Sequence, residues 1–181
     1  MISLRSKVTK KILNYFFINP HENLYVNELL RKLHLDKRNL VKKIRQLEAE
    51  GILAHETIGN LKLYSINKEY PLYDEYRKII MATIGFEERL RRSLKHMKGI
   101  KEAYIYGSYA KDTMDAHSDI DLLVVGDEGA ITLQKRLSKL QKEFGREINA
   151  VNMDEAEFKR RVKGKDSFII GLLKQKHIRI I

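Results

Sequence analysis

Apolar and polar positions recur along this chain with two periods, and the switch between them divides it. Over residues 4–18, LRSKVTKKILNYFFI, apolar residues Leu4, Val8, Ile12, Leu13, Phe16 and Phe17 fall at helical spacing, and Asn19 with Pro20 ends the run. Val26, Leu29, Leu30 and Leu33 form one stripe of a second, shorter helix over 25–33. After a turn at His34 and Leu35, Asp36 is suited to cap a third helix running to residue 50, whose inward face is Leu40, Ile44 and Leu47. Gly51 sits where a helix C-terminus favours glycine. The period then shortens to two. Residues 52–58 (ILAHETI) and 61–67 (LKLYSIN) flank Gly59 and Asn60 and predict a hairpin.

Three helices followed by a hairpin, with a tight turn between the second and third, predict a winged helix-turn-helix over 1–68. The stretch ELLRKLHLDKRNLVKKIRQLEAEGILAHE resembles the helix-turn-helix and first wing strand of the winged-helix regulators. With Leu40, Ile44 and Leu47 inward, the outer and N-terminal surface of the third helix carries Lys37, Arg38, Asn39, Lys42 and Arg45, the position from which a recognition helix meets a major groove. Lys62 on the wing adds a possible phosphate contact, so double-stranded DNA is the expected partner, with salt-dependent affinity. Protein contact or dimerisation is the alternative use of such a module.

Residues 73–98 carry apolar positions at 73, 76, 80, 84, 90, 94 and 97, which predict a long connecting helix over 69–97, interrupted at Gly85. This connector is also a candidate homodimer seam. From residue 98 to 181 strands and helices alternate: strands at 102–106, 120–125 and 147–152, a short helix from Ser108, helices at 130–143, 154–162 and 166–175, and a closing strand HIRII. The expected fold class is thus α+β in the first part and α/β in the second, with a mixed sheet flanked by helices.

Composition narrows the class. An apolar content of 43% in 181 residues suits globular domains, and no apolar run approaches the roughly 18 residues of a membrane span. With a start, MISLRSKVTKK, that lacks a signal-peptide core, a soluble cytoplasmic protein without membrane association is expected. The absence of cysteine excludes disulfides and thiolate metal sites. The net charge of +11 is uneven: residues 1–68 hold 13 Lys/Arg against 6 Asp/Glu. A basic segment of that kind favours a polyanionic partner.

The candidate chemistry lies in GSYAKDTMDAHSDIDLLVVG, residues 107–126. Asp119 and Asp121, one residue apart at the mouth of an apolar strand, point the same way, roughly 6 to 7 Å apart along the strand. Two uncompensated carboxylates on one face repel, and a divalent cation removes the difficulty; hard oxygen ligands suit Mg²⁺, with Mn²⁺ as substitute. Gly107 permits close backbone approach, the Ser108 hydroxyl can bond a phosphate oxygen, amides at the start of a helix favour an anion, and Lys111 lies one turn on. Together they describe a site for a metal and a nucleoside triphosphate, with phosphoryl or nucleotidyl transfer as its chemistry.

The pattern of strand, Gly-Ser, short helix and Asp-x-Asp resembles the nucleotidyltransferase superfamily that includes the small antibiotic nucleotidyltransferases and the minimal nucleotidyltransferases of prokaryotes. It is met by Gly107, Ser108, Asp119 and Asp121, and the resemblance covers 98–181. It implies that Asp119 and Asp121 hold the metal while Gly107, Ser108 and Lys111 hold an NTP, ATP foremost. A nucleoside monophosphate would then pass to an acceptor hydroxyl on a protein, nucleic acid or small molecule. Two positions depart from the family. Asp112 stands where a glycine usually follows the basic residue, and Asn149 stands where the next strand usually supplies a third carboxylate that acts as base, with Glu147 one pleat away on the same face. Because an amide cannot accept that proton, a second reading is a transcriptional regulator whose transferase domain senses nucleotide without efficient catalysis. A third is an antitoxin-like partner of a small toxin. His117 and the basic run Lys159, Arg160, Arg161, Lys163 and Lys165 are read as solvated surface.

Overall fold

The computed structural model describes residues 4–115 and 117–181. The chain divides into two compact units, the first ending at Phe86 and the second being Glu87–Ile181.

In the first unit, α1 (Lys7–Ile18) starts where the Ser6 hydroxyl accepts the Thr9 N–H at 3.3 Å, relieving one of the unpaired donors of the first turn. Its apolar stripe, Ile12, Leu13, Phe16 and Phe17, is fully buried. The apolar stripe predicts a helix from Tyr25, but Leu24–Tyr25 is a two-residue strand, β1, and α2 is Val26–Leu33. A strand this short leaves no period in the sequence; it exists because Leu24 and Tyr25 pair with Tyr64 and Leu63 on a distant strand. His34 takes the left-handed conformation (φ +47°) in the turn that leads to α3 (Lys37–Ala49). Asp36 caps α3 by accepting the Asn39 N–H at 2.9 Å. The hairpin is β2 (Leu53–Ile58) and β3 (Leu61–Ile66), and the sheet order is β1-β3-β2, all antiparallel.

The connecting segment, with its interruption at Gly85, is two separate helices, α4 (Tyr73–Thr83) and α5 (Phe86–Lys95). Ile84 and Gly85 both donate to the Ile80 carbonyl, closing α4, and a Cβ at Gly85 would lie 2.8 Å from Met81 Cα. A side chain at this position would collide with the last turn of α4, so this helix ending favours glycine. Asn14 of α1 donates to the Ile84 carbonyl at 3.0 Å, which pins the break within the first unit.

The second unit is a mixed four-stranded sheet of order β6-β5-β4-β7, built from β4 (Ile100–Tyr106), β5 (Ile120–Gly126), β6 (Ile148–Met153) and β7 (Ile178–Arg179). The β4–β5 and β4–β7 pairs are antiparallel and the β5–β6 pair is parallel. The helices are α6 (Gly107–Lys111), α7 (Ala130–Phe144), α8 (Glu155–Lys163) and α9 (Ser167–Lys174). Leu122, Leu123, Val124 and Val125 have no exposed surface, so β5 is covered on both faces. Leu123 and Val125 pack with Tyr104, Met153, Phe158, Ile169 and Leu172 in one cluster on the α8 and α9 side. Burial of each such side chain contributes about 1.5–3 kcal/mol, which makes β5 a rigid mount for the residues at its mouth. Among the described residues no helix is long and apolar enough to cross a membrane.

Candidate active site

The site gathers at the start of β5. Asp121 is flanked in register by Tyr106 of β4 and Asn149 of β6. On the same face, one pleat earlier, lies Asp119, exposed just before the strand; Ile120 between them is fully buried and donates its N–H to the Glu147 carbonyl at 2.9 Å. The β5–β6 register therefore sets Asn149 beside Asp121 and Glu147 beside Asp119, with neighbouring strands about 4.8 Å apart.

Gly107, the first residue of α6, has φ +69°, and a Cβ there would lie 2.1 Å from Asp121 Oδ2 and 3.1 Å from its Cγ. The Asp121 carboxylate thus lies against the bare Cα of Gly107, and no other residue type satisfies both the backbone angle and the space. Ser108 is half-buried next to it and Lys111 is exposed in the last turn of α6. The buried Tyr109 ring anchors this short helix, its hydroxyl donating to Glu87 at 3.3 Å.

Asp112, the departure from the family's glycine, ends α6 in the left-handed conformation (φ +64°), with its N–H donating to the Ser108 and Tyr109 carbonyls. The position demands a positive φ, and aspartate is among the non-glycine residues that tolerate it. The substitution therefore preserves the backbone at the end of the helix.

Burial raises the Asp121 carboxyl above its ordinary value, and the Asp119 charge raises it further. The Tyr106 phenol is likewise pushed up, by burial first and the Asp121 charge second. Two carboxylates are held together at a cost that a cation would offset. No group of three or more acidic, histidine or cysteine residues arranged to hold a metal occurs among the described residues.

One contributor gave no signal in the sequence. Arg146, just ahead of β6, is only 7% exposed, and its guanidinium donates to the carbonyls of Asp115 (3.0 Å) and Ser118 (3.1 Å). These residues belong to the loop that carries Asp119. The loop is also tied by Asp115, whose carboxylate accepts from the His117 N–H at 2.8 Å and the Ser118 hydroxyl at 2.9 Å, and the same bonds hold its carboxyl below the usual range. His117 is exposed on that loop. A lone arginine after a glycine reads as surface charge in a sequence; its burial follows from a contact 28 to 31 residues away.

In the first unit Lys37, Arg38, Lys42 and Arg45 are all exposed on α3 and border a common cavity of about 520 Å³. Lys37 and Arg45 also border a groove of about 530 Å³ shared with Arg31, Asn60, Leu61 and Lys62. Two expected contacts have competing partners. The Asn39 side-chain amide donates to Asp36 at 2.8 Å within the helix cap, and Lys62 is 3.2 Å from Glu48, which also binds His55.

Residues 87–173 match the family described as Nucleotidyltransferase domain. A Methanocaldococcus jannaschii protein named as a candidate protein adenylyltransferase is 34% identical over 68 residues, which are 38% of this chain and 68% of that protein. Among solved structures, a toxin–antitoxin complex with AMP-PNP aligns at TM-score 0.40 and 16% identity over 52% of this chain and 72% of its own. The tri-AMPylated Shewanella oneidensis HEPN toxin in complex with MNT antitoxin aligns at TM-score 0.36 and 14% identity, over 53% and 69%. The family match spans the Gly107 turn and both aspartates, and the archaeal relative is matched over two thirds of its length: the chain belongs to the nucleotidyltransferase domain family and is a nucleotidyltransferase.

Proposed function

We propose that the enzyme transfers AMP from ATP to a hydroxyl of a protein acceptor, with Mg²⁺ held by Asp119 and Asp121. The observation that carries this reading is the packing of the Asp121 carboxylate against Gly107, which joins the phosphate-binding turn and the acidic pair into one locus. The name of the archaeal relative supports a protein as acceptor.

The donor set fits the metal: two hard carboxylate oxygens, one of them disfavoured as a bare charge by burial and by its neighbour. When bound, such a cation supplies charge neutralisation and Lewis acidity at phosphate oxygens. The chain's own residues do the rest. Ser108 and the turn amides hold the triphosphate, and Lys111 adds a positive charge. The acceptor oxygen attacks the α-phosphorus, the bond to the bridging oxygen breaks, and pyrophosphate leaves. Glu147, the carboxylate beside Asp119, takes the acceptor's proton, because Asn149 beside Asp121 has no basic site for it.

Incubation with ATP labelled at the α-phosphate, Mg²⁺ and a total protein extract tests this. Label should pass to protein with release of pyrophosphate, ATP labelled at the γ-phosphate should give none, and Asp121→Ala should abolish transfer. Tight nucleotide binding without transfer would refute catalysis and favour the nucleotide-sensing regulator. Recovery of the label on one co-purifying small protein would identify an antitoxin-like pairing.

We further propose that the first unit is a winged helix that binds duplex DNA through α3. The exposed run of Lys37, Arg38, Lys42 and Arg45 along one helix face supports it. Gel-shift titration on duplex DNA at increasing salt is the measurement, and affinity independent of salt would refute it.

A further inference from the structure

Gly107 belongs to a second feature. It lies in the wall of a cavity of about 250 Å³ that runs beneath α9, bounded also by Tyr106, Phe168, Leu172, Gln175 and Lys176. Phe168 is out of place as a core residue. Its neighbours Ile169 and Leu172 are buried in the cluster beneath, whereas Phe168 itself is 36% exposed, with its ring meeting Tyr106 edge-on (centroids 5.6 Å apart, 76° between planes). An aromatic pair with one ring left open, an apolar floor, and an amide and an ammonium at the rim is the surface that receives a flat heteroaromatic ring.

We infer that this cavity is the nucleobase subsite of the enzyme: the base stacks on Phe168 against the Tyr106 wall, with Gln175 and Lys176 donating to its polar edge. This rests on the proposed seating of the triphosphate at Gly107 and Ser108: the cavity opens from that turn, and Tyr106 in its wall is paired in register with Asp121, so a nucleotide held there by its phosphates can extend its nucleoside end into it. Stacking on Phe168 then accounts for on the order of tenfold in affinity, as base–aromatic stacking does elsewhere.

The test compares ATP with inorganic tripolyphosphate, both with Mg²⁺, by calorimetry on the full chain. Wild type should bind ATP about tenfold or more tighter than tripolyphosphate. Phe168→Ala should remove that advantage while leaving tripolyphosphate affinity unchanged. Phe168→Trp should retain it, and because the chain has no tryptophan, its fluorescence becomes a specific reporter that ATP changes and tripolyphosphate does not. The subsite is overturned if Phe168→Ala leaves ATP affinity intact, weakens both ligands equally, or raises only the KM of the protein acceptor. It is overturned as well if bound ATP leaves the tryptophan signal unmoved. Failure of the underlying reading looks different: wild type would then not bind tripolyphosphate at all.

Discussion

Replacement of Gly107 by alanine separates the two reasons for glycine at that position. The new Cβ would be placed 2.1 Å from Asp121 Oδ2 and 3.1 Å from Cγ, while the backbone stays at φ +69°. The backbone penalty for a non-glycine residue there is about 1–2 kcal/mol. The atom in the way is the end of a side chain, so the cheapest relief is rotation of the carboxylate and not movement of β5, whose next four residues are fully buried. Stability should therefore fall by only that 1–2 kcal/mol. Activity should fall much further, because a displacement near 1 Å at the reacting centre costs about 100-fold. Thermal melts and transfer of α-labelled AMP measure the two effects. In an Asp121→Ala background the steric clash is gone, and Gly107→Ala should cost only the backbone penalty. The reasoning is refuted if Gly107→Ala transfers AMP within about threefold of wild type, since a 2.1 Å overlap cannot leave the carboxylate in place.

Other outcomes follow from the same geometry. Asn149→Asp restores an acid beside Asp121 and should raise turnover, whereas Glu147→Gln should lower it by about 100-fold or more as a lost general base; unchanged rates in both would remove Glu147 and Asn149 from the mechanism. Asp121 has its folded-state pKa raised, so its protonated form favours the fold and that contribution is lost as pH rises above the ordinary value of 3.8. Asp121→Asn should accordingly gain melting temperature over wild type as pH climbs from about 4 towards 7 in chelator, and a difference that stays flat with pH would contradict the burial and repulsion assigned to it. Arg146→Ala frees the carbonyls of Asp115 and Ser118 and should weaken metal-dependent activity through KM for the metal, with Arg146→Lys recovering part of it; a uniform loss of stability with normal metal dependence would make the residue purely structural. The double change Lys42→Ala with Arg45→Ala should reduce duplex DNA binding and lower its salt slope by about two, and an unaltered slope would exclude α3 as the contact.

Much of the site was legible because it is local. Gly107, Ser108, Asp119 and Asp121 lie within 15 residues, and alternation along β5 puts the two aspartates on one face without knowledge of any partner strand. The cap at Asp36 and the hairpin turn at Gly59 and Asn60 were legible for the same reason. Other features had no local signature. β1 exists only through its pairing with β3; Gly85, by contrast, did mark the interruption, and what the sequence left open was that the Ile80 carbonyl and the Met81 backbone make it a complete break.

The sequence by itself determined the identity and order of the acidic pair and of the Gly107-Ser108 turn, because those follow from spacing along one strand and one tight turn. Only the tertiary structure decided what surrounds them. The parallel β5–β6 register sets Asn149 beside Asp121 and Glu147 beside Asp119, Arg146 is drawn under the loop of Asp119, and Phe168 is left open over Tyr106. Each is a contact between residues far apart in the chain. Period-two alternation says which face a residue occupies but not which neighbour it meets, and that choice is made by the packing of the whole sheet.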